Sequence, residues 1–379
     1  MKREEVYTLI VGLLGIFVGL GLARFAYTVI LEPMKEGLNL SYTEMGAIAS
    51  ANFLGYVLFS PFVGYLASRL GSKIVVVSTL FLVTVTLFLT SFSTGFFDAS
   101  IYRFLTGVGS AGVNVGLVGL AAKWFEIERR GFALGVINAG SSVGIIFAGI
   151  TLPLVILSYD WRAGWVFLAL ISLFVTVLSL KLKETPAEFV PETKIEVGDV
   201  YRSRSLLTLG FSYVFFGLSY IVFVTFYTSH LIKIGVEYEI ASGMWSLVGI
   251  LSIISAILWG KISDAIGRKR ALFSVYTIMG VAFILFGLST NLPMAVLATI
   301  LAGASMLAIP PLVQAYCGDL AGKSSASAAI GFVTLFFGVG QMIGPSVAGF
   351  LADVTGSFRI PLILAGTFAL VGSVTVRKT

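Results

Sequence analysis

The stretch GYLASRLGSK, residues 64 to 73, is a short polar turn between two apolar segments, and it returns 196 residues later as GKISDAIGRK, residues 260 to 269. Each copy opens on a glycine (Gly64, Gly260), places a second glycine seven residues on (Gly71, Gly267) and carries basic residues around it, Arg69 in the first and Arg268 in the second. Glycine, serine and charge between long apolar runs end one helix and begin the next. The same 196-residue shift lays Gly21 on Gly217, Gly107 on Gly303, Gly135 on Gly331 and Gly144 on Gly340. The chain therefore reads as one unit written twice.

Outward from these turns, apolar segments of spanning length occupy 7–31, 43–67, 74–94, 98–122, 132–157 and 163–182, then 205–232, 239–262, 271–290, 292–318, 325–351 and 358–376. These are helices 1 to 12 of the expected fold, an all-α membrane protein with twelve transmembrane helices in two six-helix pseudo-repeats. The domains are 1–183, a charged cytoplasmic linker over 184–204 (ETPAEFVPETKIEVGDVYRSR), and 205–379. The short alternating segments of a β-barrel are absent from the sequence. Two parallel repeats imply a binding site between the halves near the bilayer midplane, with rocking of one half on the other giving alternating access.

Composition agrees. Of 379 residues 57% are apolar and 12% charged, and the mean hydropathy is +0.99, outside the soluble range. The net charge of +6 does not point to nucleic acid, because the basic residues are spread between apolar segments and so report topology. With the N-terminus cytoplasmic, nineteen Lys and Arg fall inside and four, Lys35, Arg162, Lys233 and Arg359, outside. Both termini are thus expected in the cytoplasm, in a multi-pass protein of the cell membrane. The first apolar run is too long for a cleaved signal and is read as a retained helix. A single cysteine, Cys317, and a single histidine, His230, exclude an internal disulfide and a His/Cys metal site.

At this point the chain resembles the major facilitator superfamily of secondary transporters. That family's loop between helices 2 and 3 has the form G-x-L-A-D-R-x-G-R-K, from which GYLASRLGSK departs at Ser68, where the family has its acid. The second copy keeps Asp264, Gly267 and Arg268. RFLTGVGSAG (103–112) is similar to the family's helix 4 pattern R-x-x-x-G-x-G. Helix 5, GVINAGSSVGIIFAGI (135–150), lacks the glycine-proline pair of drug:proton antiporters. Within the superfamily, GLARFAYT (21–28) and ANFLGY (51–56) resemble the YbfB branch, and KWFEIERRGFALG (123–135) is more loosely similar to monocarboxylate porters. The resemblance implies that helices 1 and 4 line a central cavity. It also makes Gly64, Arg69, Gly71, Gly260, Asp264, Gly267 and Arg268 conformational residues of the paired loops. Asp264 would sit against a neighbouring helix N-terminus, whereas Ser68 cannot, so a weaker first-half latch follows.

The sharpest chemical signals are Arg24 and Arg103, each inside an apolar helix, where a charge costs about 2.5 to 3.5 kcal/mol on insertion scales. All nineteen acids fall at helix ends or in loops by this reading, with Glu32 and Glu36 closing helix 1. A carboxylate cargo would supply the missing charge to two planar donor forks. Two plainer roles stay open: Arg103 bracing backbone carbonyls, and Arg24 snorkelling to the outer interface. Tyr27 and Tyr220, the latter the repeat equivalent of Arg24, together with Asn114, Gln314 and Gln341, are the remaining binding candidates, although polar and small residues on such stripes also serve helix packing. Pro310-Pro311 should bend helix 10. The expected function is secondary transport of a small organic anion by a monomer in the lipid bilayer, with the coupling ion open and no cofactor implied. The alternatives are efflux of apolar or cationic compounds, or a non-transporting sensor on the same scaffold. No nucleotide loop or catalytic triad can be assembled, so an enzyme is not expected.

Overall fold

The computed structural model describes residues 3–184 and 197–379. Those residues are helical, without strands, and twelve helices are long and apolar enough to cross a membrane. They are α1 (Arg3–Leu38), α2 (Tyr42–Leu70), α3 (Ser72–Thr90), α4 (Phe96–Trp124), α5 (Arg129–Ser158), α6 (Trp161–Ser179), α7 (Arg204–Lys233), α8 (Tyr238–Ile266), α9 (Arg268–Leu288), α10 (Leu292–Gly322), α11 (Ala328–Thr355) and α12 (Arg359–Val376). The chain divides into two compact units, Met1–Glu188 and Phe189–Thr379. Shifting by 196 residues carries α2 onto α8 residue for residue and brings the starts of α3 and α4 onto those of α9 and α10.

Local signals explain the boundaries. Ser41 and Glu44 form a reciprocal capping box at the start of α2, Ser41 N–H donating to Glu44 Oε2 at 2.8 Å and Glu44 N–H to Ser41 Oγ at 3.2 Å. Asp160 and Asn291 cap α6 and α10 by accepting from Ala163 N–H (2.8 Å) and Met294 N–H (3.1 Å). Gly71 and Gly267 turn the chain between α2 and α3 and between α8 and α9 with φ of 93° and 89°, a region that side chains rarely enter.

Three expectations are corrected. Helix 1 was expected to end near Leu31 with Glu32 closing it, yet α1 runs to Leu38 and Glu32 lies within it, 7% exposed, its Oε2 accepting from the Tyr42 hydroxyl at 3.3 Å. The polar turn at Asn39 to Ser41, not the first acid, stops the helix, with Asn39 left-handed at φ 51°. Helix 10 bends just before its prolines rather than at them. The helix stops at Gly303, a 3₁₀ turn spans Met306–Ala308, and Pro310 and Pro311 enter the first turn of the helix that follows, where a missing N–H is harmless. The Ala304 carbonyl at this break accepts from Ser255 Oγ and Trp259 Nε1 of α8, each at 2.9 Å. Third, the end of the expected linker is not simply solvated: Val197–Arg202 forms a short helix, with Tyr201 edge-on to Phe332 at 5.0 Å. Residues 185–196 of that linker, Lys194 among them, lie outside the described residues.

One departure has no signature in helical periodicity. Phe17–Phe25 of α1 is π-helical, closed by Ala26 N–H donating to the Gly21 carbonyl five residues back at 3.2 Å. Gly21 lies so close to α5 that an added Cβ would sit 2.7 Å from Gly144 Cα, and Gly19 similarly abuts Val113 of α4. The wider turn alters the face on which Arg24 leaves the helix, and such bulges recur at functional sites.

Candidate functional site

The crossing of α2 and α4 is set by glycine. A Cβ on Gly107 would strike the Asn52 carbonyl oxygen, and one on Gly55 the Phe104 carbonyl oxygen, so the two backbones touch. Side chains a turn away then meet across the crossing. Asn52 donates from Nδ2 to the Arg103 carbonyl oxygen at 2.9 Å, and Asn114 donates from Nδ2 to the Tyr56 phenol oxygen at 2.7 Å. Phe53 and Tyr56, three residues apart on α2, form an aromatic surface on which Arg24 of α1 lays its guanidinium, with Cζ 4.6 Å and 4.5 Å from their ring centroids. Such contacts are worth about 0.5 to 2 kcal/mol and hold the cation in place. Arg24 is 9% exposed, its head against α2.

Arg103 is 1% exposed and lies in a second aromatic corner, its Cζ 5.2 Å from the Tyr27 ring and 5.1 Å from that of Trp165 on α6. The two rings are 6.5 Å apart, so both flank the same side of the guanidinium. Among the described residues, Arg103 Nε and Nη1 and Trp165 Nε1 have no hydrogen-bond acceptor. Buried donors left in this way normally cost about 1 to 3 kcal/mol each, more when charged. Arg103 and Arg24 lie within range of each other's field. The Tyr27 hydroxyl donates to the Met45 carbonyl at 2.8 Å, so Tyr27 presents its ring, not its proton, to Arg103. Four of the sequence candidates, Arg24, Tyr27, Arg103 and Asn114, are thus gathered within the first unit.

The other candidates belong to the second unit. Tyr220 is buried in a stack, 5.1 Å from the Phe216 ring and 6.1 Å from that of Phe337. Gln341 is 2% exposed, and its Nε2 makes no hydrogen bond among the described residues, whereas Gln314 is exposed. Tyr227 donates to Thr299 Oγ1 at 2.8 Å, and Thr299 donates onward to the Ala295 carbonyl at 2.7 Å. His230 Nε2 lies 2.7 Å from the Phe286 carbonyl oxygen, which makes it the protonated nitrogen.

The paired turns are built differently. After α8, Asp264 Oδ1 pairs with Arg268 Nη2 at 2.6 Å, and Arg268 Nε lies 3.6 Å from Asp319 Oδ2. After α2, where Ser68 offers no charge and donates to the Tyr65 carbonyl, the carboxylate arrives from beyond α6. Glu184 accepts from Lys73 N–H at 2.6 Å in the first turn of α3 and pairs with Lys123 Nζ at 2.6 Å. Partial burial would raise the Glu184 carboxyl, but the Lys123 ammonium and the backbone N–H groups of Lys73 and Ser72 outweigh it and hold the group below its usual range. Gly71 lies beside this carboxylate, Arg69 is exposed over the Tyr65 ring at 5.5 Å, Gly64 faces Val115 of α4 at ordinary contact distance, and Gly260 has open surroundings.

Residues 16–377 match the family described as "Uncharacterised MFS-type transporter YbfB". The chain belongs to this family of the major facilitator superfamily. It is 27% identical to the hexuronate transporter of Bacillus subtilis (strain 168), over 94% of this chain and 90% of that protein. It is 24% identical to monocarboxylate transporter 12 of Xenopus laevis, over 69% of this chain and 64% of that one. A solved bacterial homologue of the human lysosomal transporter Spinster aligns with a TM-score of 0.86 over 100% of this chain and 97% of its own, at 15% identity, a likeness of fold alone. As a member of the superfamily the protein is a multi-pass membrane transporter.

Five contributors to the arginine cluster and the first turn, Asn52, Phe53, Tyr56, Trp165 and Glu184, escaped the sequence reading. Tyr56 and Asn52 stand four apart on α2, a spacing that puts them on one face with Phe53 beside them, and this was the available signal. Trp165 and Glu184 had none, because α6 and the segment beyond it meet α4 and α3 only through the packing of the bundle.

Proposed function

We propose that this transporter carries a small organic carboxylate across the cell membrane by alternating access, with Arg24 and Arg103 as the cationic contacts. The observation that supports this reading is the Arg103 guanidinium, 1% exposed inside the bundle, with two donor nitrogens lacking acceptors among the described residues and a second cation, Arg24, in its field. An anion satisfies donors and charge together, whereas a cationic cargo would meet repulsion from both groups. The relatives named for hexuronate and monocarboxylate transport handle carboxylates, which favours the same class here. Tyr27 and Trp165 wall the Arg103 side of the site and Phe53 the Arg24 side. The bias of nineteen basic residues to four supports cytoplasmic termini.

Uptake into proteoliposomes across a panel of glucuronate, lactate, pyruvate and propionate tests the reading. Arg24→Lys keeps the charge but loses the planar fork, so transport should fall sharply while the protein still inserts and purifies. Arg24→Gln and Arg103→Gln variants that each retain wild-type uptake of every transported anion would make both arginines structural and end the proposal.

A further inference from the structure

We infer that Tyr56 is a substrate-contacting residue whose phenol proton is donated to an oxygen beside the cargo's carboxylate, which makes 2-hydroxy and 2-oxo carboxylates the preferred class over plain alkanoates. The inference rests on the carboxylate reading above. Its basis is the direction of one hydrogen bond. Asn114 Nδ2 donates into the Tyr56 oxygen at 2.7 Å, so the phenol's own proton must go elsewhere, and no acceptor for it is present among the described residues. Tyr56 is only half-buried, so this donor is open to a ligand.

Position reinforces direction. The Tyr56 ring lies under the Arg24 guanidinium at 4.5 Å, which keeps its hydroxyl in the neighbourhood of the cation. A ligand whose carboxylate engages the Arg24 fork and whose adjacent carbon bears an oxygen spans the two groups. The placement is rigid, because Gly55 and Gly107 lock α2 on α4 and Asn52 ties the preceding turn of α2 to the Arg103 carbonyl. The repeat shows that the fold does not require this trio: the 196-residue shift places Tyr220, Ser252 and Pro310 where Arg24, Tyr56 and Asn114 stand.

Tyr56→Phe isolates the hydroxyl, since it leaves a ring under Arg24. Binding of lactate, pyruvate and propionate to the purified protein, measured by calorimetry, should favour the first two in the wild type. In Tyr56→Phe, affinity for lactate and pyruvate should drop about tenfold, the size of one lost hydrogen bond, with propionate unchanged. Asn114→Asp turns the partner into an acceptor that captures the phenol proton. It should abolish the same preference, and because all three probes are monoanions its added charge leaves their ratio untouched. A lactate-to-propionate ratio equal in wild type and Tyr56→Phe, with binding still dependent on Arg24, overturns the inference alone. Absence of Arg24-dependent binding for all three probes overturns this inference, and the carboxylate reading falls with it only if glucuronate binding too is independent of Arg24 and Arg103.

Discussion

The two halves of this protein share a helix plan but not a charge plan. Arg24 and Arg103 of the first half correspond under the repeat to Tyr220 and Thr299 of the second. Tyr220 lies in an aromatic stack, and Thr299 passes a hydrogen bond from Tyr227 to the Ala295 carbonyl, so both positions are neutral and at least the second is fully served. At the same positions the first half holds two guanidinium groups in aromatic corners, one with donors that no described residue accepts. A helix plan that closes equally well around Tyr and Thr does not need arginine there. On the function proposed above the charge is an addition to the architecture, carried at a desolvation cost, and the paired turns also differ, with Glu184 and Lys123 in one half and Asp264, Arg268 and Asp319 in the other.

The most direct way to break this comparison is to write the second half's residues into the first. Arg24→Tyr and Arg103→Thr should each lower anion uptake by about a hundredfold or more, the scale of losing a buried charge contact. Thermal stability of Arg103→Thr in detergent should stay level or rise, since exchanging a buried charge for a neutral group is often neutral or stabilising. A marked fall in its melting temperature would mean that the arginine braces the fold, and the two halves would then differ in structure rather than in cargo chemistry.

A smaller effect sharpens the packing side. Gly107→Ala drives a methyl into the Asn52 backbone oxygen, whereas at the equivalent Gly303 the nearest atom is the Leu251 Cβ at 2.8 Å. Backbone yields less readily than a side chain, so Gly107→Ala should destabilise by about 3 kcal/mol or more and Gly303→Ala by about 1 to 2 kcal/mol. Equal losses in chemical unfolding would show that the two crossings are alike.

The smallest expected effect concerns the turns. Because the Glu184 carboxyl is held below its ordinary range, its contribution to stability is present at neutral pH, stays whole above that range and is lost as pH falls through the depressed folded value. Wild type should therefore melt slightly above Glu184→Gln at neutral pH, and the two curves should converge in acid. A constant gap across pH would assign the difference to packing instead of to the Lys123 pair and the α3 N-terminus.

Twelve spans, the twofold repeat and the two intramembrane arginines were legible in the chain, because the bilayer imposes length and apolarity on each span and makes every interior charge conspicuous. The turn glycines Gly71 and Gly267 were equally legible, whereas the caps Asp160 and Asn291, though local, were identified only in the structure. What surrounds each arginine was decided only in three dimensions. The π-helical turn before Arg24, the meeting of Asn114 with Tyr56, the Trp165 wall beside Arg103 and the arrival of Glu184 at α3 all depend on how closely neighbouring helices approach. That approach is set by pairs such as Gly55 with the Phe104 carbonyl and Gly21 with Gly144. Hydropathy is a property of single segments and periodicity of single helices, whereas a contact across helices is a property of two backbones at once.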